Sequence, residues 1–183
     1  MLTETKKMTA PVASPITIHA QYIKDLSFEN PTPLAAFMNE SNAQSGISVG
    51  IQANAQSVGG RNFEVVLDIR IDATREKQPL FIAELSYAGI VTLGNNVDEA
   101  DAAPLLMVEG PRLLFPFARN ILADVTRDGG FPPLMLQAVD FMALYEQQKD
   151  KVSQEEKIGK KEGKPSKDSK KLALLNGATK KSK

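Results

Sequence analysis

Side chains with catalytic reach are sparse in this 183-residue chain. The one histidine, His19, alternates with Thr17 and Gln21 in a period-2 segment. An imidazole on such a polar face is a surface group rather than a general base held against a substrate. Asp98, Glu99 and Asp101 bring three carboxylates together, but the glycine and spaced oxygen ligands of a calcium loop are missing. They fit a helix start, where acids complement the positive end of the macrodipole. Gly59-Gly60 precede Arg61, with no Lys-Ser/Thr and no following helix, so they do not form a phosphate loop. No Ser, Thr or Asp stands in a nucleophile-elbow or triad-like context. With no cysteine, neither a disulfide nor a thiolate metal site is available. No catalytic residue, metal or other cofactor is implied, and the expectation is a protein that is not an enzyme.

A second group of side chains suits binding. Along residues 80–93, Phe81, Ala83, Leu85 and Tyr87 point one way, while Ile82, Glu84 and Ser86 point the other. The first set belongs under packing helices, which makes Ala83, Leu85 and Tyr87 candidates for sheet–helix and oligomer packing. The second set leaves an apolar residue beside an acid on a wet face. Asp25 and Glu29 are four apart, an even spacing, and share a side where their strand is regular. On residue types alone, the plainest account of these positions is a solvated sheet face.

The elements that carry them follow from periodicity. Residues 16–28 alternate, with Ile16, Ile18, Ala20 and Tyr22 on one face, until Pro31 and Pro33 remove ladder donors. A weaker strand spans residues 46–53, where Ile47, Val49 and Ile51 alternate, and Gly59-Gly60 marks a turn. The clearest strand is 62–74: Phe63, Val65, Leu67, Ile69 and Ile71 oppose Glu64, Asp68, Arg70 and Asp72. After the turn at residues 75–79 comes 80–93. Four strands with turn-like breaks predict an antiparallel sheet with one dry face and one wet face. Beyond residue 96 the period becomes helical. One helix starts near Asp98; a longer one follows Gly110 with Pro111 at its first position and ends at Asp128-Gly129-Gly130. A last helix has Asp140 as its N-cap and carries Phe141, Leu144 and Tyr145.

The formal charge of zero hides a split. Residues 1–148 hold 10 Lys/Arg and 17 Asp/Glu, net −7; residues 149–183 hold 12 Lys and 5 acids, net +7. An acidic body with a basic tail suggests two partner surfaces, or a tail that folds back on its body. The expected organisation is a flexible segment over 1–15, one domain over 16–148, and a disordered Lys-rich tail over 149–183. The first fifteen residues lack the apolar core of a signal peptide, and the uncharged-rich stretch 41–60 is too polar to cross a bilayer. The expectation is a soluble cytoplasmic protein.

Four runs make a more specific pattern: Lys24-Asp25-Leu26-Ser27-Phe28-Glu29, Phe63-Glu64-Val65-Val66-Leu67, Leu114-Phe115-Pro116-Phe117-Ala118-Arg119, and Gly130-Phe131-Pro132-Pro133. In this order and spacing, over residues 16–148, the chain resembles SecB, the bacterial protein-export chaperone family. The resemblance implies an α+β fold, a four-stranded antiparallel sheet with helices packed on one face, assembling as a dimer of dimers. It implies a cytoplasmic chaperone that keeps unfolded precursor proteins export-competent and delivers them to the SecA motor, reaching the membrane only through the translocase. Asp25, Glu29, Ile82 and Glu84 match the family's SecA-binding positions, with Ile82 in place of Leu. Phe37, Met38, Phe131, Phe141, Leu144 and Tyr145 match its client-binding region. The tail departs from the family pattern, being Lys-rich rather than short and acidic or Gln-rich. The alternative is a nucleic-acid- or membrane-associated adaptor acting through that tail; the acidic body and the lack of aromatics interleaved with basic residues argue against specific nucleic-acid binding.

Overall fold

The structure is a computed structural model that describes residues 14–31, 33 and 45–162, with side chains through residue 151. Phe37 and Met38 lie outside the described residues, as do 1–13 and 163–183.

Four strands, β1 (Ile16–Glu29), β2 (Ser45–Gly59), β3 (Asn62–Arg75) and β4 (Gln78–Leu93), form one antiparallel sheet in the order β1-β4-β3-β2. The alternation in β3 and β4 is unbroken from Asn62 to Ala73 and from Phe81 to Thr92, with one register shift beside the turn, between Ala73 and Thr74. Val65, Leu67, Ile69 and Ile71 are buried beside Ala83, Leu85 and Tyr87, with Leu67 opposite Tyr87, Ile69 opposite Leu85 and Ile71 opposite Ala83. Among the described residues, the helices pack on this side, as residues this apolar on alternate positions require.

β1 behaves differently from its sequence pattern. The expected common face of Ile16, Ile18, Ala20 and Tyr22 does not exist, because the register shifts between Ile18 and Ala20. Ile16 and Ile18 pair with Leu93 and Val91 on the helix side, whereas Ala20 and Tyr22 pair with Ile90 and Ala88 on the open side. The extra residue at the bulge is His19, whose Nε2 lies 2.7 Å from the Thr92 hydroxyl. A bulge puts two residues against one and exchanges the faces downstream. A second shift between Ile23 and Asp25 leaves Lys24 as the extra residue, after which the strand is regular to Glu29.

The helical part also differs. The break expected before Gly110 is absent: α1 (Glu99–Pro104) runs through a wider π-type turn at Leu105–Glu109 directly into α2 (Gly110–Asp128). The Gly110 N–H donates to the Leu105 carbonyl five residues back, and Gly110 itself is right-handed helical and buried. A Cβ there would stand 3.2 Å from both Val65 methyls, so this glycine permits close helix–sheet contact rather than a turn. Gly89 on β4 serves the same end, since a Cβ would come within 2.8 Å of Leu114.

α2 ends in a Schellman arrangement. Gly130 has φ 87°, Phe131 N–H donates to the Thr126 carbonyl and Gly130 N–H to the Arg127 carbonyl, each at 3.0 Å. The buried Thr126 hydroxyl then accepts the Leu134 N–H at 2.9 Å, which clamps the following loop. α3 (Phe141–Glu162) begins where Asp140 accepts the N–H groups of Met142 and Ala143 at 3.0 and 3.1 Å. Its backbone is helical through Glu162, so the expected domain boundary at 148/149 falls inside an element. Among the described residues, no helix is long and apolar enough to cross a membrane.

Candidate functional site

The register aligns the open face in rows across the sheet. Glu29, Ile82 and Asp72 form one row; Ser27, Glu84 and Arg70 the next; Asp25, Ser86 and Asp68 the third. Strands lie about 4.8 Å apart and same-face neighbours along a strand about 7 Å apart. Asp25, Glu29, Ile82 and Glu84 therefore share one face within two adjacent strands, with Ile82 directly flanked by the Glu29 and Asp72 carboxylates. Asp25 and Glu29 are exposed; Ile82 and Glu84 are half-buried. The bulge at Lys24 sets this arrangement, because with unbroken alternation from Tyr22 the Asp25 and Glu29 side chains would turn to the helix side.

Charge on this face is organised by two cations. Arg70 bonds Asp72 bidentately at 2.9 and 2.8 Å and also bonds Glu84. Its pairing with Asp72, then with Glu84, pushes the guanidinium above its ordinary range. Lys24 donates to Glu64 at 2.8 Å, and Tyr22 and Gln56 donate to the same carboxylate. Glu64 is thereby buried on an otherwise wet face. The Lys24 bond, then the Tyr22 bond, lower its pKa, and the Glu64 carboxylate in turn raises that of the Tyr22 phenol. Asp68 accepts from Ser86 at 2.5 Å and from Asn54 at 3.3 Å. Sequence reasoning saw Glu64, Asp68, Arg70 and Asp72 as one face but not their partners, which depend on cross-strand register.

The helix side holds the remaining candidates. Ala83, Leu85 and Tyr87 are buried in the core. Phe131 is half-buried, its ring 4.8 Å from Phe81 and 6.3 Å from Phe28, while Phe28 stacks on Phe81 at 5.4 Å. Phe141 is 1% exposed and meets Phe115 edge-on at 5.7 Å, so it supports the surface rather than forming it. Leu144 and Tyr145 are half-buried against the core. Apolar surface that these candidates omit is exposed at Leu113, Phe117, Met135 and Met142, and at Ile47 and Val49 on the helix side of β2. The signal for the last two was present in the sequence, as the alternation of residues 47–51. Arg61, next to the glycine pair, donates to the carbonyls of Leu93, Gly94 and Val97 at 3.1, 2.6 and 2.8 Å, a structural clasp on the loop into α1. Glu99 and Asp101 lie in the first turn of α1.

Comparison with known proteins matches this geometry to one family. The family model for preprotein translocase subunit SecB matches residues 9–152. The protein-export protein SecB of Gluconacetobacter diazotrophicus is 48% identical over 145 residues, covering 74% of this chain and 84% of that one. Those of Maricaulis maris and Afipia carboxidovorans are 50% and 47% identical, covering 76% and 80% of this chain and 80% and 91% of theirs. Among solved structures, a Mycobacterium tuberculosis SecB-like chaperone in complex with an antitoxin peptide has a TM-score of 0.57 at 13% identity. It matches 68% of this chain and 91% of that one, and the likeness is one of fold. With a family model spanning most of the chain and relatives near half identical, the protein belongs to the SecB family of protein-export chaperones.

Proposed function

We propose that this chaperone works in the cytoplasm as a dimer of dimers, holds unfolded precursor proteins on its helix side and docks the SecA motor on the open face of its sheet. The observation that carries the docking reading is the row structure: Glu29 and Asp72 flank Ile82, Glu84 stands one row on and Asp25 two rows on, all on one open face. Carboxylates around an apolar anchor suit a basic partner segment with one apolar side chain. At a surface they confer on-rate and specificity more than raw affinity.

Client holding is assigned to Phe37, Met38, Phe131, Leu144 and Tyr145, with the buried Phe141 supporting that surface from beneath instead of touching the client. Support comes from the uncovered Ile47 and Val49 at the β2 edge, immediately after the stretch that carries Phe37 and Met38, and from the aromatic cluster around Phe131. Exposed apolar surface tolerant of sequence is what an unfolded chain requires. Holding then acts by mass action, drawing the unfolded state away from folding and aggregation. Ala83, Leu85 and Tyr87 serve assembly indirectly, by fixing the sheet against the helices that carry exposed Leu113 and Phe117. The basic segment 149–183 is assigned an accessory role, separate from docking and holding.

Two measurements on the unmodified protein test this reading. It should suppress aggregation of a refolding polypeptide without nucleotide, and its SecA affinity should fall with rising salt, as carboxylates are screened over about 10 Å at 0.1 M. Failure to hold the polypeptide, or a salt-independent SecA affinity, would overturn it.

A further inference from the structure

The acids of the open face differ in how they are engaged. Asp25 and Glu29 are exposed and, among the described residues, make no ion pair. Glu84 is already paired, to Arg70, which sits directly opposite it across the β3–β4 ladder and holds Asp72 with the rest of its fork. The face therefore has one open acidic pole on β1 and one partly neutralised pole on β3 and β4, where a single arginine is shared between two carboxylates. We propose that Arg70 is a specificity-determining residue of the docking face, an internal cation that a partner's own cation must displace to reach Glu84. This rests on the docking reading given above.

The physics of the pair suits that role. The Arg70 side chain is 52% exposed and that of Glu84 44%, so the bond is screened by solvent and can be exchanged. An incoming cation meets repulsion from Arg70 before it gains Glu84, and the penalty falls hardest on segments with a single positive charge. A segment with several cations first engages Asp25 and Glu29, about 13 Å apart along β1, and then competes for Glu84 at high local concentration. Arg70 thus acts against weakly basic chains, a repulsive element built into an attractive surface. Arginine suits this position better than lysine because its planar fork holds Asp72 and Glu84 together.

The test is the affinity of purified SecA for the parent and five full-length variants, titrated at two ionic strengths. Arg70→Gln should bind about two- to fivefold tighter than the parent, the range expected from releasing an exposed pair, with a steeper salt dependence. Arg70→Lys should fall between them. In a Glu84→Gln/Asp72→Asn background the gain from Arg70→Gln should disappear, because neither carboxylate that Arg70 pairs is still charged. Unchanged or weaker binding by Arg70→Gln, or a gain that persists in full without both Glu84 and Asp72 charges, overturns the inference. Asp25→Lys separates the two levels. If it fails to weaken SecA binding, the docking reading falls and takes this inference with it. If it weakens binding while Arg70→Gln changes nothing, only the role of Arg70 is rejected.

Discussion

Glu64 is 6% exposed on the open side of the sheet because Tyr22 and Lys24 reach across β4 from β1 while Gln56 reaches over from β2. One carboxylate thus joins groups from both edge strands. With its folded pKa below the ordinary value of about 4.3, the unfolded chain binds more protons in acid. The stability contributed by Glu64 is present above that ordinary value and is lost as pH falls through the lower, folded value. Urea unfolding of the parent should therefore show a midpoint that drops as pH is lowered below about 4.3, and Glu64→Gln should flatten that drop. An identical pH profile for the two proteins would show that the network does not carry charge-dependent stability. At this scale the sequence displays which residues share a face but not which of them bond. Glu64 and Arg70 look like ordinary alternating polar residues until the register brings Lys24 and Glu84 to them.

Elements were legible in proportion to the strength of their alternation. Residues 62–74 and 80–93 are strands nearly as expected, since large aliphatic and acidic residues alternate there. β2 is longer than 46–53 because Ala53 and Ala55 carry the helix-side positions with too little bulk to signal a period, while Gln52, Asn54 and Gln56 face out. The β1 bulges left no mark that periodicity could detect, so a pattern true for Ile16 and Ile18 was extended wrongly to Ala20 and Tyr22. Gly110 looked like punctuation and is instead a point of close approach to Val65. The β3–β4 turn offers a direct test of local backbone chemistry. Its central residues, Glu76 and Lys77, have φ 51° and 66°, the left-handed region that a two-residue hairpin turn demands and that side chains without special local bonding disfavour. Replacing them together by Asn-Gly should stabilise the protein by about 1 kcal/mol, read as a higher denaturation midpoint with unchanged slope. A lower midpoint would mean that these side chains make contacts worth more than the strain.

For the whole molecule, apolar side chains remain uncovered in the single chain: Ile23 and Leu26 on the helix side of β1, and Leu113 and Phe117 on α2. Association that buries them is the expected outcome, and four chains of 19.9 kDa give a native mass of about 80 kDa by light scattering. A mass of one chain at micromolar concentration would contradict the assembly. Leu85→Lys, which forces a charge into the layer between sheet and helices, should lower that mass or prevent folding. The family pattern was legible in four short runs because each fulfils a structural duty. The first supplies a bulged strand with Asp25 and Glu29 turned outward, the second the central strand, the third the covering helix, and the fourth the Schellman stop that delivers Phe131 to Phe28 and Phe81.

Docking and holding are proposed to occupy opposite sides of one sheet. The measurement that tests this most directly is paired: SecA affinity and suppression of client aggregation on one Glu29→Lys/Glu84→Lys variant. Glu29 is exposed and makes no ion pair among the described residues, so its reversal should alter folding stability by no more than about 0.5 kcal/mol. Glu84→Lys sets a second cation opposite Arg70 at a cost of up to about 1 kcal/mol, and the oligomer should stay intact. SecA binding should fall at least about tenfold, since two attractions become repulsions, while client holding is retained. Unchanged SecA affinity in a variant of parental mass, or a parallel loss of client holding, would contradict it.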